Sequence, residues 1–384
     1  MGTEKSGGVW NTMKVLYIGH YKENSGWSKA AIDLIKTIQT TDIDVVCRDI
    51  KLTDIQPNVD NSILELEKKG LNDVDFCIQH IIPHHFTGTQ KFKKNIGYFV
   101  SESDSVLYHH WGSDLSLLDE IWVPNSDLKN SLIKDGFSSD KIRIIPHAFN
   151  LSKYIDTKNR INFQNRNHTF KFYFICEMDD RKNIESIIRC FHSEFNPSEP
   201  VCLILKIKKG DIDPNLIRKE IGKICDKVKT EMRLHKSLDE YNTEIIITEN
   251  FTEEQMDILH LSCDCFVGPT HGEGWSIPAF DAMCFGNTPI CSNEGGPKEF
   301  IDANNKNTGY LINGQYGICN HRNPAFPDIF TGHNSWFIPN EIEIKNAMRY
   351  YFENRGKKST DGLKRGEKFS YQSVGKMIKE ALND

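Results

Sequence analysis

Residues 271–283 read HGEGWSIPAFDAM and run on through 284–300 as CFGNTPICSNEGGPKEF. Just before them, the apolar CFVG at 265–268 has the length of a buried strand. Gly272 and Gly274 then make a loop in which backbone and a second group can come close. Pro278 stands where a helix favours proline, at its first position, and predicts a helix over 278–285. Pro289-Ile290-Cys291 reads as the next strand. Strand, glycine loop, helix and strand in this order is the repeating unit of a parallel α/β sheet. The start of such a helix presents unpaired N–H groups and partial positive charge to an anion. Glu273 and Asp281, eight residues apart, flank that turn and can accept bonds from hydroxyl groups.

The same alternation continues outward in both directions. Upstream, strands are predicted at 170–176, 201–206 and 244–248, with helices at 183–195, 214–234 and 253–262. A polar, Asn-rich stretch at about 151–168 breaks the pattern and predicts a domain boundary. Before it, strands are expected at 14–19, 44–47, 76–79, 95–100, 120–124 and 142–146, and helices at 28–39, 62–69 and 128–135. A last helix is predicted at 372–383. The expected fold is α/β, with two Rossmann-like domains whose parallel sheets face a central cleft. The domains are placed at 13–160 and 168–365, after a loose arm at 1–12, with the last helix in a segment at 366–384. In open parallel sheets ligands sit outside the carboxyl ends of the strands, so candidate residues belong just after strands.

Composition narrows the function classes. A chain of 384 residues is long for one domain and suits two. With 38% hydrophobic and 26% charged residues it has the balance of a globular protein in water. The net charge of -6 gives no global support to phosphate-wrapping nucleic-acid binding. Only Gln90-Lys91-Phe92-Lys93-Lys94 is locally basic, and it reads as a solvated loop. Eleven scattered cysteines without a CxxC suggest reduced thiols and a cytoplasmic location. No stretch approaches eighteen apolar residues, so no membrane span is expected. No leader pattern is read at the start, and the sequons at Asn167 and Asn250 are taken as chance matches.

The segment from His271 to Phe300 resembles the signature of retaining glycosyltransferases of family 4. That signature has an acid, Gly, an aromatic, a small residue, an apolar residue and Pro, then a second acid and Ala-Met. Here these are Glu273, Gly274, Trp275, Ser276, Ile277, Pro278 and Asp281-Ala282-Met283, and Gly286, Pro289, Gly295, Gly296 and Glu299 also match. The resemblance implies a GT-B fold, and a nucleotide diphosphate sugar (UDP- or GDP-linked) as donor, with Glu273 on the donor sugar and Asp281 on the ribose. Two positions depart from the pattern: Asp281 is a methylene shorter than the usual Glu, and Ser276 stands where Gly is common. Residues 172–195, FYFICEMDDRKNIESIIRCFHSEF, match the family's first strand of the second domain and the basic pair that opens its helix. The resemblance gives Arg181 and Lys182 the diphosphate. Cys176-Glu177 replaces the Gly-Arg of many relatives.

In the first half, HYKENSGWSKAAIDL at 20–34 resembles the family's glycine loop beside the donor phosphates and acceptor, which singles out Gly26 and Trp27. IGYFVSESD at 96–104 resembles a subgroup with an acid after this strand, placing Glu102 on the acceptor side. Relatives also hold a histidine near the reacting carbon; His109, His110 and His80 are the candidates here. Adjacent histidines without a carboxylate at ligand spacing are weak zinc signals. The resemblance implies no metal and no resident cofactor. Three rival functions remain: a nicotinamide oxidoreductase, against which the missing GxGxxG speaks; a non-catalytic sugar-nucleotide binder; and a glycosyltransferase acting on modified DNA bases. The acceptor cannot be read.

Overall fold

The computed structural model describes residues 12–23, 25–52, 59–107, 110–155, 159–163, 168–322, 329–356 and 358–384. Most of the expected arm at 1–12 lies outside these residues. The first sheet has six parallel strands: β1 (Lys14–Gly19), β2 (Asp44–Asp49), β3 (Phe76–His80), β4 (Lys94–Tyr98), β5 (Glu120–Val123) and β6 (Ile142–Ile144). Their order is β2-β1-β3-β4-β5-β6. Between them run α1 (Gly26–Gln39), α2 (Asn61–Glu67), α3 (Trp111–Ser116) and α4 (Ser126–Lys134). The strands are apolar on both faces because helices cover both. Val15, Tyr17, Ile78, Ile96 and Trp122 are fully buried, and the polar atoms among them have buried partners, Tyr17 with His80 and Trp122 with Glu120.

The second sheet also has six parallel strands: β7 (Phe170–Glu177), β8 (Val201–Lys208), β9 (Ile245–Ile247), β10 (Cys265–Gly268), β11 (Ile290–Ser292) and β12 (Tyr310–Ile312). The order is β12-β11-β10-β7-β8-β9. Helices α5 (Ile184–Glu194), α6 (Pro214–Met232), α7 (Glu253–Ser262), α8 (Ile277–Cys284) and the short α9 (Pro297–Phe300) connect the strands. An antiparallel hairpin follows, β13 (Gly314–Ile318) and β14 (Ser335–Pro339), then α10 (Glu341–Glu353), α11 (Asp361–Gly366) and α12 (Tyr371–Asn383). The edge strand β12, the hairpin, α3 and α9 to α11 were not foreseen. α12 packs on α1: Val374, Ile378, Ala381 and Leu382 join the core of the first sheet. Gly375 is needed there, because a Cβ would meet the Thr40 hydroxyl at 2.8 Å.

Strand order decides where the chemistry goes. In the second sheet the chain runs from β7 to β8 and β9 on one side, and places β10 to β12 on the other. The loops after β7 and β10 therefore leave neighbouring strands in opposite directions and open a crevice between them. In the first sheet the same reversal falls between β1 and β3.

Candidate functional site

The loop after β7 is held before any ligand arrives. The Asp179 carboxylate caps a 3-10 turn at Asp180–Lys182 by accepting the Arg181 N–H at 2.9 Å, and faces His321 Nε2 at 3.0 Å. Asn183 takes a left-handed conformation (φ 55°) that turns the chain into α5. Its amide donates to the Pro269 carbonyl at 2.9 Å, and the His271 N–H donates to the Arg181 carbonyl at 2.8 Å. The β7 and β10 loops are thus laced together, which aims Arg181 and Lys182 at the segment 272–274.

Four charged side chains meet there. Lys182 Nζ lies 2.6 Å from Glu273 Oε1. Arg181 donates to the Gly272 carbonyl at 2.6 Å and lies 3.2 Å from Glu102 Oε1 and 3.8 Å from Glu273 Oε2. All four side chains are 11–17% exposed. Burial works to lower the Arg181 pKa, but Glu102 and Glu273 outweigh it and hold the guanidinium charged. Glu102 comes from the first domain, so this group spans the cleft.

Gly272 and Gly274 let the first domain come close. A Cβ at Gly272 would lie 3.0 Å from the Glu102 Cβ, and one at Gly274 would lie 2.8 Å from the Val100 Cβ. The bare backbone is what lets the end of β4 approach. Other bonds close the same seam. Asn125 donates to the Gly274 carbonyl at 2.7 Å. The Ser126 N–H and hydroxyl both donate to Glu299 Oε1, at 2.7 and 2.6 Å. Asp127 accepts the Gly295 N–H at 2.8 Å and pairs with Lys298 at 2.7 Å.

Ser276 begins α8 in a left-handed conformation (φ 68°, ψ 66°) without a side-chain cap. Pro278 has no N–H, and those of Ala279 and Phe280 already bond the Ser276 carbonyl. The amides of Ser276 and Ile277, both half-buried, have no partner among the described residues and are the ones left for an anion. Trp275 points inward: it is 2% exposed and stacks on His147 at 5.6 Å between the two domains. Asp281 accepts the Tyr154 hydroxyl at 2.5 Å and pairs with Lys153 at 2.9 Å. Burial favours its neutral form, but Lys153 and Lys29 outweigh that and keep the carboxyl below its usual range. Lys29 reaches across from α1 to Glu253 on α7 at 2.9 Å. The sequence did not single out Lys29, Lys153 or Tyr154. Their partners lie 127 residues away for Tyr154, for example, and no local pattern marks them.

In the first domain, Gly26 opens α1 behind the Ser25 cap, and Trp27 packs 6.0 Å from His20 and 5.8 Å from His80. His80 is 1% exposed; its Nδ1 shares a 2.7 Å bond with the Tyr17 hydroxyl, and its ring lies 4.5 Å from Tyr98. Burial, then His147 and His20, drive its pKa well down, so the ring is neutral. His110 is exposed ahead of α3, and its side chain makes no hydrogen bond or ion pair with a described residue. His109 lies outside the described residues. Among the described residues no three His, Cys, Asp or Glu side chains are grouped to hold a metal ion, and no helix is long and apolar enough to cross a membrane.

A cavity of about 470 Å³ opens between the domains onto Glu102, Gly272 and Glu273. Another, of about 390 Å³, lies behind the β7 loop against Asp179, Asp180 and Asn183, away from Lys182 and Glu273.

Comparison with known proteins bears on the fold and on the second domain. Residues 157–315 match the family model described as glycosyl transferases group 1. No curated protein matches the chain by sequence. Solved structures match nearly throughout. HepE from Anabaena, in complex with UDP-glucose, is 13% identical, with a TM-score of 0.58 over 97% of this chain and 99% of that one. Sucrose-phosphate synthase from Thermosynechococcus elongatus is 12% identical, with a TM-score of 0.63 over 97% and 98%. The catalytic domain of starch synthase IV from Arabidopsis thaliana, bound to ADP and acarbose, is 11% identical, with a TM-score of 0.61 over 97% and 99%. The chain therefore has the GT-B fold, and its second domain carries the sequence pattern of the group 1 glycosyl transferases.

Proposed function

We propose that the protein is a retaining glycosyltransferase of the family 4 type that uses a UDP- or GDP-sugar and needs no metal. The observation that carries this is the pairing of Arg181 and Lys182 with Glu273 at the crevice between β7 and β10. Two cations there can neutralise a diphosphate as it leaves. The Ser276 and Ile277 amides add donors at the start of α8, and Glu273 orients the sugar. In the step proposed, the bond from the anomeric carbon to the diphosphate oxygen breaks. The acceptor oxygen bonds the same face of that carbon, and its proton passes to the departing phosphate. Closure along the Gly274–Val100 seam excludes water from the reaction. The reaction is expected in the cytoplasm.

One observation favours a second reading, a non-catalytic sugar-nucleotide binder: Asp281 is already engaged by Tyr154 and Lys153. A thermal-shift panel of UDP, GDP, ADP, CMP and NAD, with and without EDTA, is the first test. A shift with one nucleoside diphosphate, unchanged by EDTA, supports the donor site and identifies its base. A shift with NAD alone, or with none, refutes it. Donor binding without hydrolysis or transfer to any acceptor selects the binder. Full transfer activity in both Glu273→Gln and Lys182→Ala would overturn the mechanism.

A further inference from the structure

The cavity between the domains begins at Glu102 and Glu273 and extends away from the β7 loop toward α4 and the β13–β14 hairpin. Its walls are unevenly matched. Glu102 and Glu273 have Arg181 and Lys182, and Asp127 has Lys298. Glu294 has no such partner: it accepts a bond from the Tyr316 hydroxyl at 2.6 Å and has no ion pair among the described residues. Burial, and behind it the Asp127 carboxylate, push its pKa up against the Tyr316 bond and the weaker pull of Lys298. Tyr316 itself is 58% exposed, on the hairpin strand that forms one side of the cavity. Among the described residues, Lys134 is the only cationic side chain in the wall.

An aromatic ring beside carboxylates, amides and hydroxyls suits a sugar: the ring packs the apolar face of a pyranose, and the oxygens accept its hydroxyl protons. A phosphate or carboxylate brought to the same place meets Glu294, which has no ion pair among the described residues, in a partly desolvated setting where like charges repel most. We propose that this cavity is the acceptor subsite, and that it takes a sugar carrying hydroxyl or amino groups and no anionic group, with Glu294 and Tyr316 as the recognition pair. This rests on the glycosyltransferase reading. It excludes phosphorylated sugars, uronic acids and nucleic acid as acceptors.

The test uses the full chain saturated with the nucleoside diphosphate that the thermal-shift panel selects. Ligand-observed NMR then measures binding of methyl β-glucopyranoside, glucosamine, glucose 6-phosphate, glucuronate and a short DNA oligonucleotide. The expected result is binding of the first two at least tenfold tighter than any anionic probe. Glu294→Lys should erase or invert that ratio, Glu294→Gln should narrow it, and both should keep the nucleotide shift that shows an intact fold. Equal or tighter binding of an anionic probe by the parent protein would overturn the proposal. So would an unchanged ratio in a Glu294→Lys protein that still binds nucleotide, or no sugar binding while the nucleotide response persists. The last result leaves the transferase reading standing, whereas loss of every nucleotide response removes that reading and this inference with it.

Discussion

Glu273→Gln should tighten the binding of a free nucleoside diphosphate while abolishing most sugar transfer. The reason is competition. Glu273 holds Lys182 at 2.6 Å and stands 3.8 Å from Arg181. A diphosphate must take both cations from it. At an effective dielectric near 20 the 2.6 Å pair is worth ~6 kcal/mol of gross attraction, most of it offset by desolvation. A charge-assisted hydrogen bond nets ~1.5–3 kcal/mol, and Gln retains part of it as a neutral acceptor. The substitution should therefore favour UDP by ~1–2 kcal/mol, an affinity gain of about 5–30-fold. Lys182→Ala removes a phosphate contact and should weaken UDP by ~1.5–3 kcal/mol, or about 10–150-fold. In the double variant the gain from Gln should nearly vanish, because its competitor is gone. Isothermal titration of the three variants with UDP, or with whichever diphosphate the panel selects, reads this directly. If Glu273→Gln weakens binding as much as Lys182→Ala does, then Glu273 supports the nucleotide rather than competing with it, and the argument fails.

Ser276→Gly should stabilise the protein by about 0.5–1 kcal/mol, since a left-handed L-residue costs ~1–2 kcal/mol and glycine's extra unfolded-state entropy offsets part of the relief; urea denaturation that shows a loss would refute the strain. Gly274→Ala should leave nucleotide binding within a few-fold but cut transfer at least tenfold, because its Cβ would fall 2.8 Å from the Val100 Cβ and hold the seam apart. Val100→Gly in the same chain, which removes that Cβ, should restore much of that loss, and no rescue would place the defect elsewhere. Asp257 is pushed up to about 6, first by burial, against the pull of Lys153, with Asp281 and Glu253 adding to the rise. A raised carboxyl favours the folded state fully below the unfolded pKa of 3.8, and that contribution is lost as the pH climbs through about 6. Asp257→Asn should thus gain ~1–2 kcal/mol over the parent above pH 6, once solvent screening at this half-buried carboxyl is allowed for, and almost nothing near pH 4; a difference that does not vary with pH would refute the assignment.

Strand and helix periods, with glycine and proline as punctuation, were enough to predict the first sheet, five of the six strands of the second, and most of the helices between them. β1, α7 and β10 fall on their predicted spans, and most other ends lie within a residue or two. The hairpin was not legible because GQYGI at 314–318 has no alternating apolar face; what makes it a strand is pairing with residues 335–339. α10 was missed although Asn340 caps it and Ile344, Ala347, Met348 and Tyr351 recur on one buried face. That signal was present in the chain.

The sequence by itself determined which residue types stand at the loops after β7 and β10, because strand length and the Gly and Pro positions are local properties. It therefore placed Arg181, Lys182 and Glu273 beside a crevice. Only the tertiary structure decided that Lys182 meets Glu273 across 91 residues, and that Glu102 joins them from the other domain. The same is true of Trp275, turned inward onto His147, and of Asp281, held by Tyr154 and Lys153. Neighbouring residues set the backbone path, but a side chain's charge partner is set by which strands end side by side, and strand order is not a local property.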